Sequence, residues 1–336
     1  MIQEAVQELI AGTDLDRAQV RAVMDQIMSG GATDAQIGAF LVALRIKGET
    51  VDEIVGCAEG MREKATPIAT SRTNLIDTCG TGGDGSGTFN ISTTVAFVAC
   101  GAGLAVAKHG NRSISSQCGS ADVLAELGVN IEASPEKVGQ CIDEAGIGFL
   151  FAVALHGAMK YAIGPRKELA LRTVFNVLGP LTNPAGAKRQ LIGVYDSGLT
   201  DKIAGVLKEL GSQRAFVVHG SDGLDEITLT GSTKLSELSG GRVETREINP
   251  GDFALQTAEA GALVGGDAAQ NAQILRAVLD GEQGPRRDVV LLNAAAAIAA
   301  GGLVDDMVAG IDVARESIDS GKARQALHRL VEVSNG

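Results

Sequence analysis

A change of residue periodicity near Pro67 divides the chain and predicts an α/β protein: a small all-helical amino-terminal domain, then a larger α/β domain with a mostly parallel central sheet. Three observations carry the prediction. Before Pro67, apolar residues recur at helical spacing. After it, short apolar runs alternate with helical stretches, the pattern of strands buried under helices on both faces. Two unusual loops, one rich in glycine and one in cations and hydroxyls, follow such runs, and sheets of this kind bind ligands at the carboxyl ends of their strands.

Val20, Val23, Met24 and Ile27 share one helix face, as do Ile37, Phe40, Leu41 and Leu44. Thr33-x-x-Gln36 and Thr50-x-x-Glu53 are capping boxes that mark the starts of the second and third long helices. Beyond Pro67, Leu75-Ile76 reads as a strand, Thr93 to Cys100 as a helix and Leu104 to Ala107 as a buried strand. A helix follows over about residues 120–127, and Ser134-Pro135 starts another, with serine at the cap and proline in the first turn. Phe149 to Phe151 is again a strand. A helical stretch punctuated by Gly and Pro, about 158–184, interrupts the alternation; strands at Leu191 to Val194 and Ala215 to His219 resume it. Helices over about 268–279, 288–300 and 305–320 finish the chain. The expected division is 1–70 for the helical domain, joined by helices from about 160–185, and 71–336 for the α/β domain.

Bulk composition narrows the function. With 45% hydrophobic and 21% charged residues, the chain folds into a soluble globule. A net charge of −12 argues against nucleic acid and anionic membranes as partners. An anionic substrate must then be captured by local cations such as Lys108, Arg112, Arg166 and Arg172. The most apolar stretch, Val289 to Val304, is too short to span a bilayer and reads as a buried helix. Cys57, Cys79, Cys100, Cys118 and Cys141 form no CxxC pair. Their odd number, with no secretory leader, leads us to expect reduced thiols in a cytoplasm, with Cys79 in a packing role.

Between Cys79 and Ser92 the chain reads Cys-Gly-Thr-Gly-Gly-Asp-Gly-Ser-Gly-Thr-Phe-Asn-Ile-Ser. Glycines remove the bulk that keeps an anion from main-chain N–H groups, and the helix start that follows offers more of them. The segment satisfies GxGxxG, but a dinucleotide site also needs an acidic residue about 20 positions on. Residues 100–108 contain none, which argues against hydride transfer. Neither a GxxxxGK[ST] loop nor a GxSxG elbow occurs. Asn90, Ile91, Ser92 and Thr93 open the next helix and can serve as caps or as donors to a diphosphate. One strand–helix unit later comes Lys108-His109-Gly110-Asn111-Arg112-Ser113-Ile114-Ser115-Ser116, with two fixed cations and a row of hydroxyls. Together the segments describe a site for a heavily phosphorylated small molecule.

After the strand ending at His219 comes Asp222-Gly223-Leu224-Asp225-Glu226. Adjacent carboxylates at a strand end repel unless a cation lies between them, and oxygen-only ligation suits Mg²⁺. The four histidines are scattered; His109 is the one near the site, and His156 is a candidate for a structural or a substrate-wall role.

Taken together, these segments closely resemble the anthranilate phosphoribosyltransferase family of tryptophan biosynthesis. The resemblance runs through Gly60-Met61-Arg62, the Gly80 loop, Asn90 to Thr93, Lys108 to Ser116, Gly119-Ser120-Ala121-Asp122, Arg172 to Asn176, Gly179 to Pro184 and Asp222 to Glu226. It implies a helical domain hinged to the α/β domain, a homodimer through the helical domains, and a fold shared with pyrimidine nucleoside phosphorylases. It implies that anthranilate and phosphoribosyl pyrophosphate react with Mg²⁺ to give N-(5′-phosphoribosyl)anthranilate and pyrophosphate. Carried across, Gly80, Gly83, Asp84, Thr88, Asn90, Ile91, Ser92 and Thr93 hold the phosphoribosyl donor. Lys108, His109, Gly110, Asn111, Arg112, Ser113, Ile114, Ser115, Ser116 and Ser120 hold the rest of it. Ser92, Asp225 and Glu226 ligate Mg²⁺, while Gly80, Asn111 and Arg166 contact anthranilate. No covalent nucleophile is implied. The chain departs from the family pattern at Val153, Gly157, Gly164 and Ala170, all in the segment that shapes the anthranilate entrance. The competing reading is a pyrimidine nucleoside phosphorylase, which needs a nucleobase pocket and a simple phosphate site.

Overall fold

The computed structural model describes residues 1–113 and 117–336, with the backbone alone for Ala260. Four helices open the chain: α1 (Ile2–Ile10), α2 (Arg17–Met28), α3 (Asp34–Lys47) and α4 (Val51–Lys64). Both expected capping boxes are formed. The amides of Thr33 and Thr50 donate to Gln36 and Glu53 at 2.9 and 2.8 Å, and the two threonine hydroxyls accept in return. Glu53 is fully buried and also accepts from Leu15 N–H and Lys47 Nζ at 3.0 Å each, so one carboxylate pins α4, α3 and the α1–α2 turn.

The α/β part then runs β1 (Leu75–Gly80), α5 (Ile91–Gly101), β2 (Ala105–Gly110), α6 (Ser120–Glu126), α7 (Pro135–Ala145) and β3 (Ile147–Phe151). Three helices interrupt it: α8 (Ala152–Leu155), α9 (Lys160–Leu169) and α10 (Phe175–Leu181). It resumes with β4 (Arg189–Gly193), α11 (Thr200–Glu209), β5 (Arg214–Gly220), β6 (Thr233–Ser239) and β7 (Arg242–Ile248). Helices α12 (Ala268–Leu279), α13 (Pro285–Gly301), α14 (Met307–Asp319) and α15 (Lys322–Asn335) complete the chain.

The seven strands lie in the order β3-β2-β1-β4-β5-β6-β7, parallel from β3 to β5 and antiparallel thereafter. The chain winds outward from β1 to β3, then crosses back to lay β4 on the other side of β1. Loops leaving β1 and β4 therefore diverge, and that divergence opens the crevice in which such sheets bind ligands.

Alternation along the strands divides the interior. Ile76, Val106, Phe149, Leu191, Phe216 and Val218 face the cluster built by α5 and α12–α15. Cys79, Ile192, Val194, Ala215 and Val217 face the other way, into a cluster continuous with the helical bundle, α10 and α11. Helix α13 is buried nearly all round, as its apolar sequence predicts. Among the described residues, no helix is long and apolar enough to cross a membrane.

Helix α8, helix α11, the β6–β7 hairpin and helix α15 escape the sequence reading. Helix α11 lies between two strands that the apolar runs do reveal. The β6–β7 hairpin turns at Gly240-Gly241, both with positive φ (56° and 76°), which is the signature of a tight two-residue turn. The charged edge strand β7 hides that signal. Helix α15 carries Ala323, Ala326, Leu327 and Leu330 on one buried face, a helical pattern placed after the last predicted helix.

Helix α9 ends under strain. Ala170 caps it in the left-handed region, at φ 48° and ψ 31°, where a side chain costs about 1 kcal/mol or more. Ala170→Gly is expected to stabilise the protein by about 1 kcal/mol, raising Tm by about 2 °C in a thermal melt. A lower Tm would show that the alanine methyl contributes packing that outweighs the strain.

Candidate active site

The glycine loop follows a path that its composition requires. Gly82, Gly83, Gly85 and Gly87 all adopt positive φ, from 65° to 77°, so other residues would strain at each. The loop closes at its far end on residues 263–265: Phe89 N–H donates to Leu263 O at 3.2 Å and Gly265 N–H to Gly87 O at 2.9 Å. At its near end it meets Asp225. The Gly82 amide donates to Asp225 Oδ2 at 2.8 Å. Methyl groups at Gly80 and Gly193 would collide with the Asp225 carboxylate and main-chain oxygen respectively. Glycine at both strand ends thus lets the Asp225-Glu226 segment sit directly on the switch point between β1 and β4.

Both carboxyls are held above their ordinary range. Burial pushes Asp225 up first, with the charge of Asp84 adding to it; burial and then Asp225 push Glu226 up. Neither forms an ion pair among the described residues. Two shielded carboxylates, offset only by the field of buried Lys108 and lying beside the Ser92 amide and an anion-ready loop, are a donor set that fits a divalent cation.

Lys108 lies beneath this floor. It is 2% exposed, and its ammonium donates to Thr78 O at 2.5 Å and to Ser92 Oγ at 3.4 Å. The expectation of a point charge on a phosphate thus becomes a buried cation acting through its field. Burial lowers its pKa, opposed by the charges of Asp77 and Glu226. Asp77, fully buried in β1, accepts from the His109 amide at 3.0 Å and from Asn183 Nδ2 at 2.8 Å, which ties β1, β2 and the residues after α10 together.

On the other rim, Asp122 organises the loop after β2. It accepts from Gly119 N–H at 2.9 Å, Ser113 N–H at 3.2 Å and Arg112 Nη1 at 2.9 Å. Those bonds outweigh its burial and lower its pKa. Ser120 Oγ exchanges bonds with the main chain of Asn111, both at 3.2 Å. Ile114, Ser115 and Ser116 lie outside the described residues. Asn90 sits at the N-cap of α5 without a capping bond; its side chain instead joins Cys118 O and Asn271. Ile91 and Thr93 are buried, so only their amides can serve a ligand. Thr88 pairs with Val264.

Helix α10 packs against the end of β2. His109 Nδ1 lies 3.0 Å from Gly179 O, and its Nε2 lies 3.2 Å from Nε2 of His156. A carbonyl can only accept, so His109 carries its proton on Nδ1 and receives the His156 Nε2 proton. Burial holds both rings neutral, with pKa values lowered to about 3 for His109 and about 4 for His156. Neither imidazole acts as an acid at neutral pH. Arg166 stacks 5.0 Å from the centre of the Phe175 ring and has no carboxylate partner among the described residues. Cys79 is buried with its thiol pKa raised, which leaves it a packing residue.

The histidine pair has a measurable signature. Below pH 6.5 the unfolded chain takes up protons that the folded rings refuse, so their share of stability falls as pH drops toward about 4. His156→Gln keeps a donor to His109 and removes one titrating group. The stability gap between wild type and this variant is expected to shrink by roughly 1.4 kcal/mol per pH unit between pH 6 and 4.5. Urea titrations showing a pH-independent gap would mean that His156 is protonated in the fold. Asp77 and Lys108 face the pair in both proteins, and their contributions cancel in the difference.

Two residues position the carboxylate segment: Asn293, which escapes the sequence reading, and Asp222, which that reading groups with the carboxylates. Asn293, the lone polar side chain in the middle of α13, is fully buried and holds the residue after Glu226 from both sides, accepting from Ile227 N–H at 2.9 Å and donating to its oxygen at 2.8 Å. Asp222 accepts from Thr228 and Thr230 at 2.7 and 2.5 Å and so folds the turn that delivers Asp225. An asparagine inside an apolar run was the available signal for the first.

A sheet crevice with a glycine loop and paired carboxylates at its strand ends suits an enzyme that moves a glycosyl group from a diphosphate. Models of the glycosyl transferase family match both parts of the chain, its a/b domain over residues 72–324 and its helical bundle domain over residues 3–65. The anthranilate phosphoribosyltransferase of Moorella thermoacetica is 56% identical over 331 residues, 98% of each chain, and that of Geobacter sulfurreducens 54% identical over the full length of both. The crystal structure of anthranilate phosphoribosyltransferase from Thermus thermophilus superposes with a TM-score of 0.94 at 43% identity, covering 99% of each chain. The Saccharomyces cerevisiae enzyme in complex with PRPP and Mg gives 0.90 at 28% identity, covering 99% of this chain and 98% of that one. The chain belongs to the anthranilate phosphoribosyltransferases of the glycosyl transferase family.

Proposed function

We propose that this chain transfers the phosphoribosyl group of phosphoribosyl pyrophosphate to the amine of anthranilate, giving N-(5′-phosphoribosyl)anthranilate and pyrophosphate, a step of L-tryptophan biosynthesis. One observation supports it above all: two buried carboxylates, offset only by the field of Lys108 and in no ion pair among the described residues, sit against a glycine loop, while Arg166, with no carboxylate partner among them, stacks on Phe175 of α10. The donor's diphosphate lies against the loop amides and the amino-terminal turn of α5, where main-chain N–H groups and the helix dipole favour negative charge. Asp225, Glu226 and Ser92 hold Mg²⁺, which neutralises charge on the departing pyrophosphate. Among the described residues no three His, Cys, Asp or Glu side chains gather into a closed cage, which suits an ion that keeps waters and substrate oxygens.

The remaining residues position and polarise. Lys108 adds positive field beneath Ser92. Gly80, Asn111 and Arg166 receive anthranilate, the guanidinium pairing with its carboxylate. The neutral His109–His156 pair forms a wall that brings no second charge to the amine. The aromatic amine is a nucleophile in its neutral form, so orientation and leaving-group stabilisation supply the catalysis without a strong base.

Loss of anthranilate fluorescence that requires both the donor and Mg²⁺ is the expected result. Phosphorolysis of thymidine without anthranilate turnover would favour the nucleoside phosphorylase reading. The same proposal places the enzyme in the cytoplasm as a homodimer through its helical bundle, where Ile10 and Ile46 are 75% and 81% exposed. A monomer mass in analytical ultracentrifugation would remove the dimer.

A further inference from the structure

The segment that bears the acceptor cation also reaches the donor side. Just beyond α9, Arg172 donates from Nη2 to the main-chain oxygen of Gly83, and its guanidinium lies 4.2 Å from the centre of the Tyr195 ring. The Tyr195 amide in turn donates to Thr81 Oγ1 at 3.1 Å, and the Thr81 amide to Gly193 O at 2.9 Å. Each of the first three loop residues is therefore tethered: Thr81 to Gly193 and Tyr195, Gly82 to Asp225 and Gly83 to Arg172. The first two come from the end of β4 and from the turn after β5. The third comes from the connection between α9 and α10, which places Arg166. Arg172 makes no ion pair among the described residues, so nothing competes for its planar fork.

A loop with four glycines at positive φ depends on such tethers for its shape, because glycine gains more freedom on release than any other residue. Thr81 and Gly82 remain anchored without Arg172, whereas among the described residues Gly83 to Ser86 have no other tether outside the loop before Gly87 accepts from Gly265, the Ser86 hydroxyl on Asp84 being a bond within the stretch.

We propose that Arg172 is a positioning residue: it latches the glycine loop in its donor-binding shape from the acceptor wall, with Tyr195 as the platform that keeps its guanidinium flat. The proposal rests on the donor and acceptor assignments above. Donor affinity then depends on Arg172, and acceptor affinity does not. The plane of the guanidinium is what matters, so lysine does not replace it.

Four variants test this: Arg172→Gln, Arg172→Lys, Tyr195→Leu and the Gln/Leu double. In the free protein, amide exchange across residues 82–87 is expected to quicken about tenfold in Arg172→Gln and in Arg172→Lys. In steady-state assays the donor KM is expected to rise about tenfold, with the anthranilate KM within about twofold of wild type. Tyr195→Leu shifts both readouts the same way, and the double variant is no worse than Arg172→Gln alone because one contact is being removed twice. Full recovery of the donor KM by lysine would overturn the latch in favour of a direct phosphate contact, as would unchanged exchange or additive effects in the double variant. If Arg172→Gln fails to fold, Tyr195→Leu carries the same readings. If wild type does not turn over anthranilate, the functional reading fails while the exchange measurement still decides the latch.

Discussion

Replacing Asp225 and Glu226 together by Asn and Gln is expected to lower kcat/KM by about a thousandfold or more and to abolish its dependence on Mg²⁺. The substitutions keep size and hydrogen-bonding oxygen, so the Gly82 amide retains an acceptor and the loop its first anchor. Only charge is removed. Burial raises both carboxyl pKa values in the absence of a cation, which means that the ionised pair weakens the metal-free fold. The double variant is therefore expected to melt no lower than wild type without Mg²⁺, and to lose the stabilisation that Mg²⁺ with donor gives the natural protein. Activity that still follows the Mg²⁺ concentration in the variant would place the ion elsewhere.

Arg166→Ala is expected to raise the KM for anthranilate about a hundredfold while leaving the donor KM within about twofold. The figure follows from losing a charge-assisted, two-pronged pair, worth about 3 kcal/mol when water is excluded. Arg166 is partly desolvated above Phe175, its pKa lowered by burial, so the arrangement already bears the cost of keeping a cation in a half-buried place. Lysine there should recover little, because its ammonium can neither stack on the ring nor present the fork. Equal rises in both KM values would reassign Arg166 to the fold of the wall.

Much of this was readable in the chain, and the unreadable part has a common physical origin. Periodicity disclosed the five parallel strands because each is buried on both faces and reads as an apolar run. The glycine loop and Asp225-Glu226 were visible because their chemistry is concentrated in consecutive residues. Asp77 was not visible: a single aspartate in a strand says nothing until Asn183 and the His109 amide, distant in sequence, are brought to it. Asn293 is similar, since its partner Ile227 lies on the far side of two strands. Lys108 shows the opposite limit, because the sequence announces a cation beside a phosphate loop but not that it lies under Ser92. Capping boxes were legible since their partners are three residues apart.

The apolar cluster common to the bundle and one sheet face has a consequence for how such enzymes diverge. Met24, Phe40 and Leu44 of the bundle belong to the same interior as Ile192, Val194 and Val217 of the strands. Neither part is an interchangeable module. A chimera that grafts the first 65 residues of a distant relative onto this sheet would inherit mismatched knobs and hollows, and its seam would need compensating changes in β4, β5 and α11 before the hybrid could rival either parent.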